Sequence, residues 1–143
     1  MTVEEHKAVV RRYYEEVLNQ GNMEALEELA IAEYVEHSPL PGQTSGLAGL
    51  RQRVGILRNA FRPHFTIDDL IAEQDKVVVR WTHRGTHQGE FLGMPATGKS
   101  FTISGIDIHV LRDGKMAEHW DMVDQLGLLQ QLGLIPQPDS IGA

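Results

Sequence analysis

Cysteine is absent from the 143 residues, which removes disulfides, thiolate nucleophiles and every Cys-ligated zinc or iron–sulfur site from consideration. Cations are scarce too. Thirteen Lys and Arg against twenty Asp and Glu give a net charge of −7, which argues against nucleic acid as a partner, since phosphates need clustered basic residues. No apolar run approaches the ~20 residues that span a bilayer. Met1-Thr2-Val3-Glu4-Glu5-His6 lacks the basic and apolar regions of a secretory signal. These absences point to an acidic cytoplasmic protein with no membrane partner. The length fits a single domain over 1–143, with about 134–143 expected as a flexible tail. A chain of this size buries roughly 68–70% of its unfolded surface, enough for a core and a pocket.

What is present divides into a helical half and a strand half. Thr2 and Glu5 have capping-box spacing, and Val9, Val10, Tyr13, Tyr14, Val17 and Leu18 follow at helical intervals up to Asn19-Gln20-Gly21. Asn22 is placed to cap a second helix from Met23 to about Ala30, and Ile31 to Pro41 reads as irregular. A third helix is predicted from about Gly46 to Phe61, ended by Arg62-Pro63. Strands are predicted at about 64–73, 76–88, 99–111 and 116–124, with turns at Gln74-Asp75 and Asp113-Gly114. A short helical turn or apolar flap follows Asp124. The order implies an α+β fold, with helices packed on a curved antiparallel sheet that encloses a pocket.

Two chemical motifs fail on context. Gly93-Met94-Pro95-Ala96-Thr97-Gly98-Lys99-Ser100 matches the phosphate-binding G-x-x-x-x-G-K-[ST] pattern, but Phe101 to Ile108 alternate like a strand where that loop needs a helix. His83 and His87 are four apart in a strand pattern, roughly 13 Å of chain, too far to share an ion unless Gly85 kinks the strand. No metal site is expected.

The last hairpin carries more information. Gly105, Asp107 and His109 share one face of its first strand; Ile106, Ile108 and Val110 share the other. A two-residue type I′ turn at Asp113-Gly114 would add Glu118, Trp120 and Asp124 to the polar face. A type I turn with Gly114 as a bulge would add His119 and Asp121, with His119 opposite Asp107. Pattern leaves both registers open. Either one gathers carboxylates and imidazole on a half-buried face, where burial and like charge raise a carboxyl toward neutrality.

The stretch Gly85-Thr86-His87-Gln88-Gly89-Glu90-Phe91-Leu92-Gly93-Met94-Pro95-Ala96-Thr97-Gly98 resembles the G-x-H-x-G-x-x-x-G-x-x-x-T-G segment of SnoaL-like polyketide (ester) cyclases. Similar too are Asn19-Gln20-Gly21, Tyr34-Val35-Glu36-His37 and the end from Asp113-Gly114-Lys115 through Trp120-Asp121-Met122-Val123-Asp124 to Gln131-Leu132-Gly133. The resemblance implies an NTF2-like cone and a cofactor-free intramolecular aldol condensation on a polyketide-type methyl ester. It puts the family's acid/base aspartate on Asp121. The family's cavity histidine falls at Asp107, with His109 as its replacement, and Trp120 stands where antibiotic cyclases have a basic residue. Catalytic candidates are therefore Asp121, His109 and Asp107. Substrate-binding candidates are His37, His87, Trp120, Tyr14, Leu18, Arg80 and Asp124, with plain packing, turn bonding or ion pairing as the other reading for several of them. The alternatives to the cyclase are another acid/base enzyme on the same fold, an isomerase or epoxide hydrolase, and a non-catalytic small-molecule binder. The expected partners are a small hydrophobic or polycyclic substrate and a second copy of the chain. Apolar Ile106, Ile108, Val110 and Met122 leave a face that needs a cover.

Overall fold

The computed structural model describes residues 1–137; the expected tail beyond Gln137 lies outside the described residues. Helix α1 (Val3–Arg12) begins as its capping residues dictate, with Thr2 Oγ1 accepting from Glu5 N at 3.1 Å. From Tyr13 to Asn19 the chain winds as a π-helix, a wider spiral that turns Tyr13, Tyr14, Val17 and Leu18 all inward. A 3₁₀ turn (Met23–Ala25) and a single α turn, α2 (Leu26–Leu29), replace the longer second helix predicted. Helix α3 (Gly46–Phe61) has the predicted bounds, and Arg62 leaves it in the left-handed region ahead of Pro63.

Strands β2 (His64–Glu73), β3 (Lys76–Thr86), β4 (Ser100–Arg112) and β5 (Lys115–Val123) form the predicted antiparallel meander. The segment predicted to be irregular contains a strand instead. Ala30–Glu36 is β1, running parallel to β5 at the sheet edge, so the order is β1-β5-β4-β3-β2. A register shift between Ala30 and Val35 breaks its pairing, and the burial of its residues does not alternate, so no period-2 signal announced it. Helix α4 (Gln125–Gln131) closes one end, started by Asp124 Oδ1 accepting from Gly127 N at 2.9 Å.

The β4–β5 hairpin combines features of both predicted registers. Asp113 and Gly114 both have positive φ, 51° and 79°, and Arg112 pairs with Lys115, as a type I′ turn requires. Two residues further on the register shifts: Leu111 faces Met116, but Val110 faces Glu118, leaving Ala117 as a bulge. The bulge reverses the parity of the rest of β5. His119 lies opposite His109, not opposite Asp107, and Asp121 lies opposite Asp107. Glu118, Trp120 and Asp124 are thereby kept off the inner face.

Helices and the π-helical segment pack on that inner face around Val10, Tyr14, Leu26, Leu50, Val54, Phe61, Val77 and Val79, all fully buried. The outer face stays open: Met122 is 80% exposed and Ile106, Ile108 and Trp120 are partly exposed, whereas Val110, expected among them, is buried beside the bulge. Between β3 and β4, residues 87–99 form a loop with strand on both sides. The lysine motif therefore has no helix N-terminus to aim at a phosphate.

Candidate active site

Between α3, the π-helical segment and the inner sheet face lies a cavity of about 640 Å³ including its open mouth, of which about 70 Å³ admits the centre of a water molecule. Its walls are mostly apolar. One side is ionisable, formed by Arg53, Asp107, His119 and Asp121.

The charges are arranged in a chain of hydrogen bonds. His119 donates from Nδ1 to the Glu36 carboxylate at 2.7 and 2.8 Å and from Nε2 to Asp107 Oδ1 at 3.1 Å. An imidazole can serve two carboxylates in this way only as a cation. Burial alone would lower its pKa, but Asp107 and Glu36 outweigh burial and hold it up at about 9. Asp107 shows the reciprocal effect: burial would raise it, and His119, His109 and the Tyr14 hydroxyl pull it down to about 2. Arg53 crosses from α3 to place Nη2 2.5 Å from Asp121 Oδ2 and Nη1 3.5 Å from Glu36 Oε1, and donates to Ser38 O at 2.9 Å. Asp121 is only partly buried. Its pKa is raised by burial, against the pull of Arg53 and His119 and with help from Asp107 and Glu36.

Behind Asp107 sits Tyr14, whose hydroxyl donates to Asp107 Oδ2 and lies 2.8 Å from His109 Nε2. Since that proton is committed to Asp107, His109 donates from Nε2, leaving its buried Nδ1 without a partner among the described residues. Burial and the His119 charge press His109 down to about 3, so the ring is neutral.

The geometry sorts the sequence candidates. Asp121, Asp107 and Leu18 line the cavity. His109 and Tyr14 stand behind it, with Tyr13 facing the cavity in place of Tyr14. His87 does not line the mouth; it is fully buried, with Nδ1 3.1 Å from Thr97 Oγ1, and holds the 87–99 loop. His37 and Trp120 lie on the other side of the sheet, their rings stacked 4.0 Å apart, and His37 Nε2 meets Glu118 at 2.9 Å. Arg80 is exposed and paired with Asp69 at 2.6 Å, not with Glu73 or Asp75. Asp124 is the exposed cap of α4. For Trp120 and Asp124 the cause is the Ala117 bulge; for Arg80 it is strand parity, Val79 and Trp81 taking the inner positions.

Sequence reading missed Arg53, Glu36, Tyr13 and the role of His119. Their signal was faint: an Arg amid the apolar spacing of α3, and an acidic residue in a strand that could not be recognised. It also missed that Asp107, His109 and His119 offer ligand atoms within 4.8 Å of one another. Those atoms are already paired with one another, Tyr14 and Glu36. An ion there would have to displace the proton that His119 Nε2 places on Asp107.

A mostly antiparallel five-stranded sheet with a one-sided helical layer thus sets a cluster of ionisable groups at one side of an apolar cavity. The chain belongs to the SnoaL-like polyketide cyclase family, whose model matches residues 8–132. It is 34% identical over 134 residues to the aklanonic acid methyl ester cyclase DauD of Streptomyces sp. (strain C5), covering 87% of this chain and 80% of that protein. It is 32% identical over 129 residues to the nogalonic acid methyl ester cyclase of Streptomyces nogalater, covering 87% and 94%. The structure of TsrD from Streptomyces laurentii superposes with a TM-score of 0.86 at 32% identity, covering 94% of this chain and 99% of that one. The fold is the SnoaL/NTF2-like cone.

Proposed function

We propose that the protein closes a ring by cofactor-free intramolecular aldol condensation of a polyketide-type methyl ester, with Asp121 as the acid/base. One observation carries this reading: of the two carboxylates facing each other across β4 and β5, Asp107 is locked as an anion by His119 and Tyr14, while Asp121 is raised and opens on the cavity. Asp121 removes a proton from a carbon flanked by two carbonyls, and the C–H pair becomes an enolate. The enolate carbon bonds to an internal carbonyl carbon, whose π pair becomes an alkoxide, and Asp121 returns the proton to it. Such a methylene is already acidic, so positioning and a modest base suffice. Tyr13, whose hydroxyl has no protein partner among the described residues, is the candidate donor to the developing oxyanion. Asp107 and His109 act as positioning groups, setting the charge of His119 and the place of Tyr14.

The substrate assignment follows the names of the relatives, aklanonic and nogalonic acid methyl ester cyclases. Purified protein supplied with either methyl ester is expected to form the cyclised product. Asp121→Asn should lower turnover by ~10²–10⁴ with folding intact, and Asp124→Asn should remain near wild type. Loss of activity in Asp124→Asn with Asp121→Asn unimpaired would sink the assignment.

A second copy of the chain is the proposed partner for the outer face. Ile106, Ile108, Trp120 and Met122 form one contiguous apolar surface across β4 and β5, bordered by Lys76 and Ser38. A cytoplasmic setting accords with the lack of cysteine and with the absence, among the described residues, of a helix long and apolar enough to cross a membrane.

A further inference from the structure

One end of the cavity is closed by a short helix rather than by the sheet or α3. Gln125 and Leu128 of α4 both line the cavity; Gln125 is exposed and Leu128 buried, so α4 runs from the rim inward. The space inside that admits the centre of a water molecule is about 70 Å³. Sites for organic ligands of drug size occupy roughly 300–1,000 Å³. A polycyclic ester therefore needs a wall that moves.

The hydrogen bonds decide which wall. β5 ends at Val123, opposite Gly105 on β4, and Asp124 N donates to Ser104 O at 3.1 Å. Further along β4, Thr102 pairs with Arg84 on β3 but has no strand on its other side. The Gln131 side chain takes that place, accepting from Thr102 N at 2.8 Å and donating to Thr102 O at 2.9 Å. Among the described residues, these two exposed bonds are the only ones from 125–134 to the chain before Asp124. The other movable walls are held more firmly. In the 87–99 loop, Gln88 N and Gly89 N donate to Ala60 O on α3 at 2.9 and 3.2 Å, and His87 N donates to Lys99 O at 2.9 Å. Beside the cavity-lining Leu40, Leu40 N donates to Gln43 Oε1 at 3.0 Å, and the Arg53 guanidinium donates to Ser38 O at 2.9 Å.

We infer that α4 is the door of the cavity and the Gln131 carboxamide its latch, the helix swinging out about Asp124 to admit a ligand and closing over it. Asp124 Oδ1 accepts from Gly127 N at 2.9 Å, and a Cβ at 127 would fall 2.2 Å from Asp124 Oδ2, so glycine there leaves room for the cap. That cap keeps the first turn wound while the helix moves. Thr102 N and O lie where water reaches them, so opening the latch leaves no buried polar atom unpaired. Burial of Leu128 and Leu132, 3% and 1% exposed, draws the door shut again. The inference rests on the cyclase reading for the ligand's size, but its test does not depend on turnover.

Hydrogen exchange reads the motion directly. The amides of Leu128, Leu132 and Leu134 are bonded within the α4 segment. They are expected to exchange together, at least ~10³-fold faster than those of Val77 and Val79 on β3. Gln131→Ala should speed the α4 set about tenfold, the effect of two neutral hydrogen bonds at a solvated edge, and leave Val77 and Val79 unchanged. Simple fraying predicts the opposite sign, since alanine is the better helix former. Stopped-flow mixing with N-phenyl-1-naphthylamine, a neutral fluorescent probe, reads entry. It is done on Met122→Glu protein, in which a charge replaces the most exposed apolar side chain of the outer face. Adding Gln131→Ala should raise entry and exit rates together, each about tenfold, with affinity little changed, because the latch is closed with and without ligand. Exchange in α4 no faster than at Val77 and Val79, probe rates indifferent to Gln131→Ala, or no probe binding would each overturn the door. If Asp121→Asn retains full cyclisation while Gln131→Ala moves exchange and probe rates as stated, the cyclase mechanism fails and the door stands.

Discussion

Arg53 reaches across from the middle of α3 to set its Nη2 2.5 Å from the Asp121 carboxylate on β5. The pair is largely shielded from water, with side-chain exposures of 11% and 13%, and the same guanidinium faces Glu36. Arg53 therefore bridges two acids at once and fixes the orientation of the one that opens on the cavity.

Replacing Arg53 with Met should be costly, because it leaves the enclosed Asp121 carboxylate without its cation and Glu36 with His119 alone. A loss of about 3–5 kcal/mol is expected in urea unfolding. In the folded fraction, removing the pull of Arg53 should raise the Asp121 pKa further and move the acid limb of the pH–rate profile upward. An unshifted limb would separate Asp121 from the rate.

Stability should depend on pH in two opposite senses. The folded pKa of His119, about 9, lies above its unfolded value of ~6.5, so its contribution is complete below pH ~6.5 and disappears as pH rises through 9. His83 and His109, at about 4 and 3, lie below that value, so the unfolded chain takes up protons first and stability falls as pH drops below ~6.5. Asp121, being raised, offsets part of the acid loss. Melting temperatures should peak near pH ~6.5. His119→Gln should flatten the alkaline side and His83→Phe the acid side; a melting temperature constant from pH 6.5 to 9 contradicts the His119 assignment.

The loop around Lys99 should bind no nucleotide. Lys99→Ala is expected to leave cyclisation and melting unchanged, and isothermal titration with ATP to show no saturable heat. Micromolar binding abolished by the substitution would reverse this.

Met122→Glu places a charge in the middle of the exposed outer face. Sedimentation equilibrium at tens of micromolar should find about twice the 16.0 kDa chain mass for wild type and the chain mass for the variant. Wild type already at chain mass would remove the proposed second copy.

Helix α3 and strands β2 to β5 could be read from the sequence because α3 keeps its apolar residues at period 3.6, the strands are rich in alternating or β-branched residues, and turn residues lie between them. Ala30–Glu36 could not, since an edge strand with interrupted pairing carries no such period. The site was half legible for a related reason. Asp107, His109, His119 and Asp121 could be placed near one another by counting along a hairpin, but the inner members depended on a bulge at Ala117, and nothing about an alanine announces one. Arg53 was invisible because a cation in an amphipathic helix is ordinarily solvated; only its approach to Glu36 on β1 and Asp121 on β5 encloses it. The roles of Tyr13 and Tyr14 also depended on the helix widening at that point, which moves the second tyrosine behind the cavity wall.

The bulge at Ala117 has a consequence for how such a strand can change through evolution. Point substitutions in β5 alter one side chain at a time, on a known side. Loss of the single alanine codon would restore regular pairing with the type I′ turn and exchange the two sides of the strand from 118 onward, sending His119 and Asp121 to the surface and drawing Glu118, Trp120 and Met122 inward. The cavity-facing side of this strand is thus set by the count of residues between the turn and His119, and length variation there is expected to be far less tolerated than variation in the letters.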